Sequence, residues 1–157
     1  MSEISESIQA KCLAFGDRVI KLNDYLLEQA ASRRCDGGSQ KADKCDKTQT
    51  SYVRHQTCRI PVHLQAIATL CNQLLRSGTS IGANNAEATN AVSKTDYRSK
   101  SYIALKEARE SLYWIELLHR NNYIDDKQYA SIYGDCEELV RIFVARCKKL
   151  DQELGGK

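Results

Sequence analysis

The chain has 157 residues, 42% hydrophobic and 27% charged, with one proline and a net charge of +3. That is long enough for one domain with its own core and too apolar for a disordered chain. A single proline favours helices over the turn-rich alternative of an all-β fold. No run of about 18 apolar residues occurs, and the opening "MSEISESIQAKC" is acidic and polar, so neither a membrane span nor a signal peptide is predicted and a cytoplasmic protein is expected.

The first predicted helix, about 3–30, carries Ile8, Cys12, Phe15, Val19, Leu22 and Leu26 at alternating spacings of three and four, one buried stripe of a bundle helix. An insertion follows over about 31–60, polar and broken by Gly37-Gly38, ending where Pro61 opens the next helix. Residues 31–59 hold seven basic residues, Arg33, Arg34, Lys41, Lys44, Lys47, Arg54 and Arg59, against three acidic ones, while the rest of the chain has 16 against 17. The positive field is therefore concentrated in this segment, which also interleaves Tyr52 and His55, a composition suited to phosphate contact and base stacking.

The second helix, about 61–92, keeps its rhythm through Ile60, Leu64, Ile67, Cys71, Leu74, Gly78, Ile81, Asn85, Ala88 and Val92. Only Arg76 and Glu87 are charged between Pro61 and Ser93, compared with twelve charges over 125–153. A helix so poor in charge is expected to be covered beyond its bundle face, and an oligomer interface is predicted around Arg76, Gly78, Gly82 and Ala86. The competing explanation is that the glycines admit a bulky neighbour within the monomer, such as Trp114 or a tyrosine of the third helix. A phosphate loop in "GTSIG" is excluded by the missing Lys-Ser/Thr pair and the absence of a preceding strand.

A third helix, about 94–120, aligns Tyr97, Ser101, Ala104, Ala108, Leu112, Ile115 and His119, its start marked by Ser93 and Asp96. On it Arg98 and Arg109 lie about 20° apart around the axis with Lys94 near the same side, a candidate nucleic-acid face. The fourth, about 125–153, aligns Tyr129, Ile132, Cys136, Leu139, Phe143, Cys147, Leu150 and Leu154, with Asp125 and Gln128 as its cap. "AVSKTD" and "RNNYID" are tight links, so the all-α chain is predicted to fold as an antiparallel up-down-up-down four-helix bundle.

"QLLRSGTSIGANNAEA" followed by "YRSKSYIALKEARESLYWIELL" resembles the bacterial four-helix-bundle proteins encoded in ribosomal RNA intervening sequences, a family that includes relatives of the accessory variability determinant of diversity-generating retroelements. The resemblance spans all four helices and implies an up-down-up-down bundle, five-membered rings, and structured RNA or a reverse transcriptase as partner; with no catalytic constellation in the sequence, a non-enzymatic protein is expected. Two features depart from it: Asn85 stands on the core stripe where the family is usually apolar, and the insertion is longer than the usual link.

The seven cysteines divide by position. Cys12, Cys71, Cys136 and Cys147 sit on apolar stripes as small hydrophobes. Cys35, Cys45 and Cys58 lie in the insertion, where with His55 they form a weak zinc pattern lacking any Cys-x-x-Cys; free thiols are the favoured reading, and no metal or cofactor is expected. The lone Glu-x-x-His pair, Glu116 and His119, supplies half of a di-iron set at most, and a surface ion pair with Arg120 accounts for its glutamate.

Overall fold

A computed structural model describes residues 3–32 and 62–155, and the 31–60 insertion, with its cations, Cys35, Cys45, His55 and Cys58, lies outside them but for its first two residues. Four helices, α1 (Glu3–Ser32), α2 (Val62–Thr89), α3 (Lys94–Arg120) and α4 (Asp126–Gly155), pack each against the next and close with a sparser α1–α4 contact. The described residues contain no strand and no helix long and apolar enough to cross a membrane. This is the predicted antiparallel bundle: along α1–α2, Val19 faces Gly78 and Cys12 faces Gly82, while along α3–α4 Lys94 meets Glu153 and Glu116 meets Tyr129.

Most stripe positions become core, although Leu154, at the end of the α4 stripe, is 37% exposed. Phe15, Val19, Leu26, Leu74, Ile81, Ile115, Leu118, Leu139 and Phe143 are all buried, and so are the four stripe cysteines. Burial pushes the thiols of Cys12 and Cys71 up to about 11 and that of Cys136 to about 12, which keeps them protonated and unreactive. Val92 is an exception. It was placed on the α2 stripe, yet α2 ends at Thr89 and Val92 is 93% exposed. The backbone must leave the helix there because Ser93 takes an extended conformation, φ −154° and ψ 164°, so that its Oγ accepts the Asp96 N–H at 3.1 Å.

The links carry the expected caps. Asp125 Oδ1 accepts from the Gln128 N–H at 2.7 Å and Gln128 Oε1 accepts from the Asp125 N–H at 3.0 Å, a reciprocal box that opens α4. At the end of α3, Asn122 has φ 57°, with its N–H on the His119 carbonyl and the Tyr123 N–H on that of Leu118, both at 2.9 Å. This Schellman closure favours glycine. Asn122→Gly is accordingly expected to raise the unfolding free energy by about 0.5 kcal/mol in chemical denaturation.

The α2 glycines face α1. A Cβ at Gly78 would stand 3.0 Å from Val19 Cγ2, and one at Gly82 would stand 3.5 Å from Cys12 Cβ. Both positions are buried against α1 of the same chain. Close packing within the monomer is the reason for the small residues, with α1 as the neighbour in place of Trp114 or a tyrosine of α3. Arg76 and Ala86 remain exposed on the outer face of α2.

Ion pairs line the seams: Lys11–Glu138 at 2.8 Å and Arg18–Asp135 between α1 and α4, Lys100–Glu87 between α3 and α2, and Arg98–Asp151 at 2.5 Å between α3 and α4. Hydroxyl donation from Tyr102 and the Arg98 guanidinium hold the Asp151 carboxyl below its ordinary value; the Tyr129 hydroxyl and Arg120 do the same for Glu116, and Lys11 for Glu138. A depressed folded-state pKa gives stability that is present above the unfolded value and lost as pH falls through the folded one. Thermal unfolding is therefore expected at lower temperature as pH drops below about 4, with a shallower loss in Asp151→Asn.

Candidate functional site

Of the cations assigned to nucleic acid, seven belong to the insertion outside the described residues and three lie on α3. Lys94 is bridged to Glu153 at 3.2 Å, and Arg98 is bridged to Asp151 while its guanidinium lies 5.2 Å from the centre of the Tyr102 ring. Two of the three are thus engaged with α4 or with their own helix. Arg109 is exposed and has no ion pair among the described residues. Lys94 and Arg98 lie on the α4 side of α3, and their charge is partly offset by Glu153 and Asp151 across the seam.

The Glu116–His119 pair is likewise committed. Glu116 accepts from Arg120 Nε at 2.7 Å and from the Tyr129 hydroxyl at 2.6 Å, while His119 Nε2 lies 2.8 Å from Asp126 and its ring stacks on Tyr129 with centroids 4.1 Å apart. Among the described residues no group of three or more His, Cys, Asp or Glu side chains is arranged to hold a metal.

The up-down topology gathers the start of α1, the end of α2, the start of α3 and the end of α4 at one pole. A cleft of about 800 Å³ opens there. Ile8, Ile142, Ala145 and Leu150 give it an apolar wall; Lys94, Arg146 and Lys149 give it positive charge, and Glu153 is the one acidic residue in its described lining. Arg146 is rigidly placed. Its Nη1 donates to Asn85 Oδ1 at 2.7 Å, and its guanidinium lies 5.0 Å from the centre of the Phe143 ring and 5.5 Å from that of Tyr97.

Asn85 is fully buried, and its amide is satisfied on both sides: the oxygen by Arg146, the nitrogen by Gln9 Oε1, with Gln9 Nε2 donating onward to the Gly82 carbonyl. The network ties α4 to α2 and α2 to α1. Arg146, Lys149 and Tyr97 were not singled out from the sequence as site residues. The available signal was Asn85 itself, since an amide on a core stripe requires a partner, but no periodicity says which helix supplies it.

Comparisons with known proteins support the same architecture. A solved structure from Bacteroides thetaiotaomicron, a protein of unknown function from the S23 ribosomal protein family, is 33% identical over 90% of this chain and 98% of that one, with a TM-score of 0.64. No curated protein matches. The family described as 23S rRNA-intervening sequence protein matches residues 49–145, which include α2, α3 and most of α4. With that match covering more than half of its length, the chain belongs to the 23S rRNA-intervening sequence protein family.

Proposed function

We propose that this protein is a non-enzymatic, cytoplasmic RNA-binding or ribonucleoprotein accessory factor that self-associates. The observation that carries the reading is the segregation of charge: the chain outside 31–59 has 16 basic and 17 acidic residues, many paired across helix seams, whereas 31–59 has seven basic against three acidic. A neutral bundle bearing a cationic segment has the form of a rigid platform with adaptable phosphate contacts. The family's tie to ribosomal RNA intervening sequences supports RNA as the polyanion. Buried, protonated cysteines and the committed Glu116–His119 pair support an absence of catalysis.

Self-association is assigned to the outer α1–α2 face. Leu13 and Ile20, 59% and 44% exposed, share one side of α1 beside the weakly charged outer face of α2 where Arg76 and Ala86 lie. A ring, with a pentamer favoured, would repeat the cationic segment. Within this reading, a reverse transcriptase of a diversity-generating retroelement is the protein partner to test. The exposed Leu13 and Ile20 also favour the second reading, a protein-interaction scaffold with no nucleic-acid contact.

Salt titration of binding to a structured RNA separates the two. The RNA reading expects log affinity to fall linearly with log salt, by about 0.7 to 0.9 per phosphate contacted, and a gentler slope when the seven cations of 31–59 are replaced by glutamine. A flat response, or no binding at low salt, leaves the scaffold.

A further inference from the structure

The cleft at the pole of the bundle is lined by residues of all four helices. A buried asparagine on a core stripe is costly unless fully hydrogen-bonded, and the amide of Asn85 is spent between Gln9 and Arg146. Packing alone would be served by leucine there. What the amide adds is a fixed arginine: Arg146 is held by one hydrogen bond and two aromatic rings, lines the cleft, and has no carboxylate partner among the described residues. A guanidinium held this way keeps most of its five donors for another acceptor.

The surroundings specify that acceptor as an anion with an apolar body. Lys149, three residues along α4, also lines the cleft and carries no ion pair among the described residues, and Lys94 stands on α3 with its charge shared by Glu153. The start of α3 opens at the same place. Ser93 Oγ takes the Asp96 N–H and the Ser93 carbonyl takes that of Tyr97, so the Lys94 and Thr95 N–H groups have no acceptor in their own helix and add partial positive charge, shared with the Asp96 carboxylate that accepts the Val92 N–H. Ile8 on α1, and Ile142 and Ala145 on the same helix as Arg146 and Lys149, add apolar lining. The volume, about 800 Å³, exceeds what a bare anion needs and suits a small organic ligand.

We propose that this cleft is a binding site for a nucleoside monophosphate, with the phosphate on Arg146, Lys149 and the start of α3 and the base against Ile8, Ile142 and Ala145. A free nucleotide and the 5′-phosphorylated end of an RNA present the same chemistry. Titration calorimetry on the full chain at low salt, with AMP, adenosine, and a short ribo-oligonucleotide carrying either a 5′-phosphate or a 5′-hydroxyl, tests the site and its source. AMP is expected to bind about tenfold or more tightly than adenosine, because the phosphate contacts are charge-assisted. Arg146→Gln, which retains a donor for Asn85, is expected to lose about tenfold in AMP affinity, and the exposed Lys149→Gln about threefold while leaving the fold intact.

A 5′-phosphate preference in the oligonucleotide, abolished by Arg146→Gln, assigns the site to an RNA end; binding of AMP without that preference assigns it to a free nucleotide. Equal binding of AMP and adenosine, no binding of either phosphorylated probe at millimolar concentration, or AMP affinity unchanged in both variants overturns the proposal. The RNA-binding reading survives that failure, since it rests mainly on the cations of 31–59 and its readout is the salt slope.

Discussion

Phe15→Ala is expected to lower the free energy of unfolding by about 3 to 5 kcal/mol, the largest single effect available in α1. Phe15 is 1% exposed and belongs to the same buried cluster as Leu74 and Ile81 of α2, Ile115 of α3 and Phe143 of α4, so its ring fills a core to which the three other helices contribute. Removing it forfeits the transfer free energy of the ring and leaves a cavity that straight helices cannot readily collapse. The experiment has a further use. The family match begins at residue 49, beyond α1. If α1 were an appendage to a three-helix core, truncating Phe15 would cost under about 1 kcal/mol, as at a surface position. Denaturant unfolding followed by circular dichroism distinguishes the two outcomes, and a single cooperative transition with the full loss establishes α1 as integral.

Gly78→Leu is expected to destabilise by about 3 kcal/mol through overpacking, and the series around it tests why glycine is there. At Gly78 an added Cβ meets Val19 Cγ2 at 3.0 Å and Cγ1 at 3.2 Å. Val19 is fully buried and β-branched, with one strongly preferred helical rotamer, so it has little freedom to move aside. The overlap therefore outweighs the gain of about 1 kcal/mol in helix propensity, and Gly78→Ala is expected to be a net loss of about 1 kcal/mol. Gly82 gives the opposite sign. There the added Cβ would make ordinary contact, 3.5 Å from Cys12 Cβ, and Gly82→Ala is expected to gain about 0.5 to 1 kcal/mol. Pairing Gly78→Ala with Val19→Ala should remove the overlap and yield a favourable coupling in a double-mutant cycle. If Gly78→Leu instead left monomer stability unchanged and altered only the state of association, the intersubunit role read from sequence would be restored.

Much of this molecule was legible as a one-dimensional pattern. The helix stripes, Ser93 and Asp125 as caps, and the burial of Cys12, Cys71, Cys136 and Cys147 follow from the 3.6-residue period and from local hydrogen bonding, both properties of short stretches of chain. The end of α2 was read three residues too far, because Val92 happens to continue the apolar rhythm while the extended backbone of Ser93 overrides it. The candidate site divides in the same way. The excess of cations over 31–59 is a matter of counting, whereas the offset of Lys94 and Arg98 by Glu153 and Asp151 depends on which faces of α3 and α4 meet.

Sequence by itself determined the four helices of the described residues, their buried faces and the place of the net positive charge, because each is a sum or a period over neighbouring residues. Tertiary structure alone decided that Gly78 and Gly82 serve the α1 contact, that Asn85 reaches Gln9 on one side and Arg146 on the other, and that four helix ends enclose a cleft. Those relations join residues 59 to 76 positions apart, Gly78 to Val19 and Arg146 to Asn85 among them. Their geometry depends on the rotation of each helix about its own axis against its neighbour, a quantity that a stripe 100° wide or more leaves open by roughly one residue in either direction.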